Sequence, residues 1–421
     1  MMQRRAFLSS TAAAAVLGLA GCATPVPARA KVVVVGGGWA GATAARYVRL
    51  LSGGRIDVVL VEPNEAFVSC PLSNLVIGGS RRIDEITVPY SGLARQGVTV
   101  VRDTATAIDT AKKTVALGRG GSIGYDKLVL APGIDLRLDD VEGLRAAHAE
   151  GRALHAWKAG PETVALRRQL EAMPDGGVVA ITIPEQPYRC PPGPYERACQ
   201  VAWYLKAAKP RSKVLVLDAN PDVISKGALF KKVWAEQYAG ILEYRPQHKL
   251  TGVDGRSGTL RFEVHNDLRA DVLNVVPPQR AGLAAVQAGL ANQAGNRWVG
   301  VNYLTFESSA ARDVHVIGDA ILAAPAMPKS GHMANGHAKV AAAAIVAQLS
   351  GFEPNPRPML TNTCYSFVDD RHVVHVASVH EYAGNSYRTV AGSGGLSSEP
   401  NALEGTYALS WARNIWSDVL G

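Results

Sequence analysis

Short apolar runs recur along the chain, and each stops at a glycine, a proline or an acid. Val32 to Val35 leads into a glycine cluster, and "DVVLVE" ends at Glu62. "YDKLVLAPG" closes on Pro132-Gly133, "GGVVAITIP" on Pro184, "KVLVLD" on Asp218 and "VHVIGDA" just past Gly318-Asp319. Runs of this length, rich in Val, Ile and Leu and bounded by turn residues, predict strands buried on both faces of a parallel sheet. Between them the period changes. "ATAARYVRLL" and the stretch from about Ser330 to Leu349, "SGHMANGHAKVAAAAIVAQL", carry the apolar spacing of helices. Strands alternating with helices predict an α/β fold.

The first strand carries a chemical signal as well. Gly36, Gly38 and Gly41 form G-x-G-x-x-G directly after it, a helical stretch follows, and Glu62 ends the next strand 21 residues past Gly41 (62 − 41). Strand, glycine turn, helix, strand and terminal acid in this order predict a dinucleotide site. The glycines let backbone approach a pyrophosphate, the helix N-terminus stabilises its charge, and Glu62 accepts from a ribose hydroxyl. The bland alternative, an accidental glycine cluster, does not explain the acid. Two further segments select FAD over NAD. The strand ending in Ala131-Pro132-Gly133 and the strand ending in Gly318-Asp319 resemble signatures of flavoproteins with two dinucleotide domains. The resemblance implies that Asp319 holds the ribityl chain. The helix from about Ser330 would aim its positive end at the flavin ring and favour an anionic reduced form.

A second nucleotide unit is expected after "GGVVAITIP", yet its glycine fingerprint is missing. The chain reads "EQPYRCPPGPYERACQVAWYL" there, with four prolines between Pro187 and Pro194 and the single glycine Gly193. Proline has no N–H to offer a phosphate. The strand "KVLVLD" still follows, so the fold persists while the cradle does not, and a pyridine nucleotide is not expected as electron donor. The domain reading is therefore a leader at 1–30, a first part of the FAD domain at 31–150, and a second Rossmann-like domain at 151–285 with a degenerate nucleotide site. The FAD domain resumes at 286–350, and a small C-terminal α+β interface domain fills 351–421.

Composition narrows the partners. The 421 residues are 47% hydrophobic and 19% charged with 42 glycines, a globular profile, and the formal charge of +8 is scattered, which disfavours a nucleic-acid surface. The leader "MMQRRAFLSSTAAAAVLGLAGCATPVPARA" pairs Arg4-Arg5 with a short apolar run. It has the form of a twin-arginine export signal, a route that carries folded, cofactor-loaded proteins to the periplasm. Cleavage after Ala28-Arg29-Ala30 and a lipobox ending at Cys22 both fit. The latter would leave a lipid on Cys22 as a membrane tether. Outside the cytoplasm the remaining cysteines, Cys70, Cys190, Cys199 and Cys364, can form disulfides. Cys190 sits among prolines that hold it rigidly, and either Cys364 or Cys199 is open to it as a partner. Cys199 lies in an apolar helical stretch and also reads as a buried thiol.

These segments together resemble one family. "KVVVVGGGWAGATAARYVR", "SCPLSNLVIGG", "YDKLVLAPGI", "HAWKAG", "RCPPGPYERA", "PPQRAG", "HVIGDA", "PKSGHMANGHAKVAAAA" and "NTCYS" are similar to the flavoprotein subunit of flavocytochrome c sulfide dehydrogenase. The likeness runs from about Lys31 to the C-terminus and is weakest between Asp369 and Pro400. It implies that Cys70 is bonded through sulfur to the 8α carbon of FAD. A thioether there withdraws electron density from the ring and prevents cofactor loss outside the cell. It implies that Cys190 and Cys364 form a redox-active disulfide at the flavin, opened by hydrosulfide. Glu196, six residues after Cys190 (196 − 190), reads as a proton carrier or as a helix-start acid. Lys329 reads as a partner of the flavin's anionic edge or as a surface lysine.

The chain has no C-x-x-C-H and so binds no c-type haem of its own. The resemblance implies a separate cytochrome c as acceptor. Trp411 and Trp416, at helical spacing near the C-terminus, could serve a partner surface or the core. Three other readings stand beside this one: a sulfide:quinone oxidoreductase, a non-catalytic exported flavoprotein, and an NADH-dependent disulfide reductase, which the proline-blocked second site argues against.

Overall fold

The computed structural model describes residues 29–421. The expected leader, with Arg4, Arg5 and Cys22, lies outside the described residues. The apolar runs become strands as their composition requires. Lys31–Val35 lies in the interior of a seven-stranded sheet, flanked in parallel by Asp57–Val61 and Lys127–Leu130. Val98–Val101 extends one side. On the other side Val314–Val316 lies parallel to Lys127–Leu130, and short antiparallel strands at Glu307–Ser308 and Val301–Asn302 close the edge. The last three strands come from far along the chain, so this domain is split around an insertion.

The insertion is a second parallel sheet. Its strands stand in the order Ala153–Leu154, Val272–Val275, Val178–Ile183, Lys213–Asp218, Leu242–Arg245. A two-stranded antiparallel ribbon, Ile134–Leu136 against Gln279–Ala281, carries the chain out and back. Beyond residue 350 a long hairpin, Met359–Phe367 against Val373–Ala383, is joined by Ser386–Thr389 and Gly395–Leu396 and followed by the helix Ala402–Leu420. The mixed α/β architecture matches the sequence reading. Among the described residues no helix is long and apolar enough to cross a membrane.

Small side chains decide how the helices pack. The helix Trp39–Leu51 buries Ala40, Ala42, Ala44 and Ala45, and the helix Gly331–Leu349 buries Ala334, Ala338, Ala341 and Ala342. Two faces of methyl groups approach closely, and a larger residue there would overpack them by about 1–3 kcal/mol. Polar groups fix the register of the contact. Asn335 Nδ2 donates to Thr43 Oγ1 at 3.1 Å and to Asp418 Oδ2 at 2.9 Å. Tyr47 donates to Asp418 Oδ1 at 2.6 Å, and Lys339 pairs with the same carboxylate at 2.8 Å. The C-terminal helix is thereby clamped onto the first domain, beside the glycine turn.

Candidate active site

A cleft of about 530 Å³ is lined by residues from the first sheet, the inserted segment and the C-terminal hairpin. Its floor is the turn after the first strand, and the three glycines there have different physical reasons. Gly36 has φ +96°, and a Cβ would stand 2.5 Å from the Ala131 carbonyl oxygen. Gly41 lies beneath the turn, where a Cβ would come within 1.7 Å of the Gly36 carbonyl oxygen. Gly38 faces the cleft, with no protein atom within 4 Å of where its Cβ would be. Gly133 also lines the cleft, at φ +62° and with the same open space. Glu62 is buried at the cleft wall. Its Oε2 accepts from the Gly37 amide at 2.6 Å, and its Oε1 from the Asn64 amide and side chain at 2.8 and 2.6 Å. The helix Trp39–Leu51 starts at Gly38 without a side-chain cap or an acid in its first turn. Its free N–H groups are therefore available to an anion.

The opposite wall suits the remainder of a flavin dinucleotide. Asp319 lines the cleft, and its carboxylate takes no hydrogen bond from the described residues. Burial pushes its pKa up, opposed by the charges of Arg189 and Lys329. Ser330, Gly331, His332 and Ala334 line the same wall. The helix Gly331–Leu349 begins there, capped by Ser330 Oγ, which accepts from the Met333 amide at 3.0 Å and donates to Asn362 Oδ1 at 2.6 Å. An open glycine turn, an unpartnered carboxylate and two helix starts facing one cleft fit a flavin dinucleotide.

Three cysteines from distant parts of the chain line this cleft: Cys70, Cys190 and Cys364. Each is partly buried, and among the described residues no disulfide is formed. Cys70 sits in the turn before the helix Ser73–Gly78, whose preceding residue Leu72 is left-handed at φ 72°. Cys190 is itself left-handed at φ 58°, a conformation costing on the order of 1 kcal/mol for a residue with a Cβ. Its amide donates to the Lys329 carbonyl at 2.8 Å, and its own carbonyl accepts from the Gly193 amide at 2.8 Å. Cys364 lies in the hairpin strand Met359–Phe367, within 3.5 Å of the Asn362 side-chain amide. Burial raises the thiol pKa of both Cys190 and Cys364, and each also feels the other or nearby ionisable groups. Cys199 is buried in the core, accepting from Trp234 Nε1 at 3.3 Å, and does not line the cleft.

Glu196 ties the three cysteine segments together. It stands in the first turn of the helix Gly193–Ala208, three residues past the Cys190 turn's end at Gly193 (196 − 193). Its Oε2 accepts from Asn74 Nδ2 at 2.9 Å, and its Oε1 from the Phe367 amide at 2.9 Å. Asn74 belongs to the Cys70 helix, and Phe367 to the Cys364 strand. Asn74 also donates to the Gly193 carbonyl at 3.2 Å and accepts from Arg197 Nε at 3.0 Å. Burial raises the Glu196 pKa, opposed by the hydrogen bonds from Phe367 and Asn74 and by the charges of Lys226 and Arg197.

Lys329 does something other than expected. Its ammonium lies away from the cleft, donating to the Asp319 and Ile321 carbonyls at 2.9 and 2.5 Å, over the Trp298 ring at 3.7 Å. Neither a flavin-edge contact nor a solvated surface lysine describes it. The side chain is turned towards Trp298 and two carbonyls, and the residue acts on the site through its backbone carbonyl, which holds the Cys190 amide. Burial lowers its pKa to about 7. The cations that do line the cleft are Lys158 and Arg189, neither given a role by sequence reasoning. Trp411 lines the cleft as well, stacked on Trp39 at 6.1 Å, whereas Trp416 packs against the core.

At the expected second nucleotide unit the strand-end acid is already engaged by protein groups. Asp218 ends the strand Lys213–Asp218 of the inserted sheet and is fully buried. Its Oδ2 accepts from Tyr195 and Tyr244 at 2.7 and 3.1 Å. Its Oδ1 accepts from the Asn220 amide and side chain at 2.9 and 2.7 Å. No lone pair remains for a ribose.

This fold and cleft define a flavoprotein of the pyridine nucleotide-disulphide oxidoreductase class. Residues 30–164 match the family model of that name. Residues 163–277 match the central region of the flavoprotein chain of sulfide dehydrogenase (flavocytochrome c), and residues 356–420 the flavin-binding region of flavocytochrome c sulphide dehydrogenase. The chain belongs to the flavocytochrome c sulfide dehydrogenase flavoprotein family. It is 59% identical over 46 residues to the sulfide dehydrogenase (flavocytochrome c) flavoprotein chain of Chlorobaculum thiosulfatiphilum, covering 11% of this chain and 94% of that sequence. It is 26% identical over 303 residues to the mitochondrial sulfide:quinone oxidoreductase of Dictyostelium discoideum, which spans 69% of this chain and only 65% of that protein. Among solved structures it is similar in fold to the sulfide:quinone oxidoreductase of Aquifex aeolicus, with a TM-score of 0.76 at 18% identity over 93% of this chain and 91% of that one.

Proposed function

We propose that the protein oxidises sulfide with FAD and a Cys190–Cys364 disulfide and passes the electrons to a cytochrome c. The observation that carries the reading is the convergence of Cys70, Cys190 and Cys364 on one cleft, with Glu196 joining the segments that bear them. Gly36, Gly38, Gly41, Glu62, Gly133 and Asp319 would hold the dinucleotide, and Cys70 would bond it covalently at the 8α carbon. Bound FAD supplies a two-electron acceptor that releases electrons singly. Hydrosulfide attacks one sulfur of the disulfide; the S–S bond breaks, the attacked cysteine becomes a persulfide and the other leaves as thiolate. A second hydrosulfide removes the outer sulfur as HSS⁻ and leaves a thiol. Closure of the thiol and thiolate to the disulfide would release two electrons, for which bound FAD would be the acceptor, and one proton, which Glu196 would take up. Lys158 and Arg189 make the cleft attractive to an anion.

The family membership and the leader support an exported, periplasmic protein, with cleavage after Ala30 or a lipid on Cys22. The engaged carboxylate of Asp218 supports a donor other than a pyridine nucleotide. The likeness to sulfide:quinone oxidoreductases supports a second reading, in which quinone takes the electrons. Anaerobic reduction by sulfide followed by mixing with cytochrome c or with a soluble quinone separates them. Rapid reoxidation by cytochrome c alone is expected; reoxidation by quinone alone replaces the acceptor, and failure of sulfide to bleach the flavin refutes both.

A further inference from the structure

The most unusual charge near the cleft is a lysine that does not line it. Lys226 caps the helix Gly227–Gln237 in a left-handed conformation, φ 58°, and is 5% exposed. Its side chain crosses from the inserted domain into the C-terminal hairpin. The ammonium donates to the Cys364 carbonyl at 3.0 Å, to Ser366 Oγ at 2.7 Å and to the Val374 carbonyl at 3.2 Å. Ser366 and Val374 are cross-strand partners, so Lys226 grips both strands of the hairpin at the position of Cys364. All three of its protons go to neutral acceptors, and among the described residues it forms no ion pair. A buried ammonium without a carboxylate partner costs several kcal/mol of desolvation. Chains that keep such a charge commonly use it.

The groups that bear on this ammonium indicate the use. Burial lowers its pKa to about 8, and the anionic forms of Cys364, Glu196, Cys190 and Glu404, in that order, oppose the shift. Glu196 is itself held towards its neutral form by burial. Lys226 in turn is the strongest influence favouring ionised Cys364. An anionic sulfur on Cys364 therefore supplies the counter-charge that the resting site lacks.

We propose that Lys226 is a positioning residue that stabilises negative charge on the sulfur carried by Cys364, as thiolate or as persulfide anion, when the Cys190–Cys364 bond is open. The proposal rests on the reading of those cysteines as a redox pair and assigns the charged partner within it.

The test needs no sulfide. The flavin-loaded protein is reduced with a phosphine, pulse-alkylated with iodoacetamide across a pH series, and the labelling of Cys364 and Cys190 is read peptide by peptide. In wild type the half-maximal pH for Cys364 is expected at least one unit below that for Cys190. In K226M, which keeps the chain length without the charge, the Cys364 profile is expected to shift up by at least one unit. That equals roughly a tenfold loss of labelling rate at neutral pH. Cys190 should stay within twofold, and K226R should restore Cys364. A Cys364 profile unchanged in K226M, or a wild-type Cys364 that titrates with or above Cys190, overturns the proposal. The wild-type order serves as the test if K226M does not fold. A shifted profile in a protein whose flavin is not bleached by sulfide would leave Lys226 its role and remove sulfide oxidation.

Discussion

Gly38 and Gly41 stand in the same turn, three residues apart (41 − 38), yet alanine at the two positions should have opposite effects. At Gly41 a methyl would come 1.7 Å from the Gly36 carbonyl oxygen, 2.9 Å from its carbon and 3.2 Å from Ala131 Cβ. The obstacle is backbone, the turn directly after the strand Lys31–Val35, so it cannot rotate away as a side chain could. Overpacking of this kind costs on the order of 3 kcal/mol. At Gly38 the backbone has φ −71° and ψ −165°, which alanine adopts without strain, and no atom lies within 4 Å of the new methyl. Its cost to the fold is limited to the weaker N-cap, about 1 kcal/mol or less. That methyl, however, would stand in the cleft where a pyrophosphate must meet backbone. G38A is therefore expected to keep its melting temperature within about 2 °C in the flavin-free state and, in a C70S background that holds flavin without a covalent bond, to lose at least tenfold in flavin affinity, about 1.4 kcal/mol. G41A should lower the melting temperature by several degrees before flavin binding is considered. Circular dichroism melts and the ratio of flavin to protein absorbance measure both. Flavin content in G38A/C70S equal to that of C70S alone would refute the placement of the dinucleotide; an unshifted melt in G41A would refute the packing argument.

Other perturbations test separate parts of the site. E196Q cannot take a proton and turns an amide donor towards either Asn74 Nδ2 or the Phe367 amide, so it should slow sulfide-driven flavin reduction by about 10²–10⁴-fold and also lower stability by about 1–3 kcal/mol for the lost buried hydrogen bond. Stopped-flow absorbance reads the rate, and a change under threefold would remove Glu196 from proton transfer. C70S should retain flavin in the native state and release all of it on denaturation, whereas wild type should show a mass increment equal to FAD on the Cys70 peptide. Acid should destabilise the fold well before the carboxylates titrate. Burial holds His315 and His332 near pKa 4 and His337 near 3. A base depressed in the folded state is protonated first in the unfolded chain, so stability is lost as pH falls through about 6.5. At pH 5 each costs about 2 kcal/mol relative to pH 7.5. Glu196, Asp218 and Asp319, raised by burial, work in the opposite sense. H337N should recover about 2 kcal/mol of the pH 5 loss in urea titrations, and parallel pH profiles for variant and wild type would contradict this.

What could be read from the sequence was what short segments decide alone. The Gly36–Gly41 turn, Glu62 and the Gly318-Asp319 strand end are local patterns, and the chain folds them into one cleft as their spacing requires. The proline-rich replacement of the second fingerprint was equally local. Asn74 and Lys158 stood inside quoted motifs, but a side chain's partners are not a local property. Asn74 matters because it meets Glu196, 122 positions away. Lys226 acts on a residue 138 positions on, across a domain boundary, with no motif of its own. Lys329 went the other way: its position beside the helix start suggested a flavin contact, and tertiary packing against Trp298 turned its ammonium aside.

The central claim is that Cys190 and Cys364 act as one redox pair beside the flavin. Anaerobic titration of the flavin absorbance with sulfide, in wild type and in the C190S and C364S variants, tests it most directly. The account predicts full bleaching in wild type and a loss of at least a hundredfold in rate in each variant, with flavin content unchanged. Bleaching of either variant at the wild-type rate would contradict it.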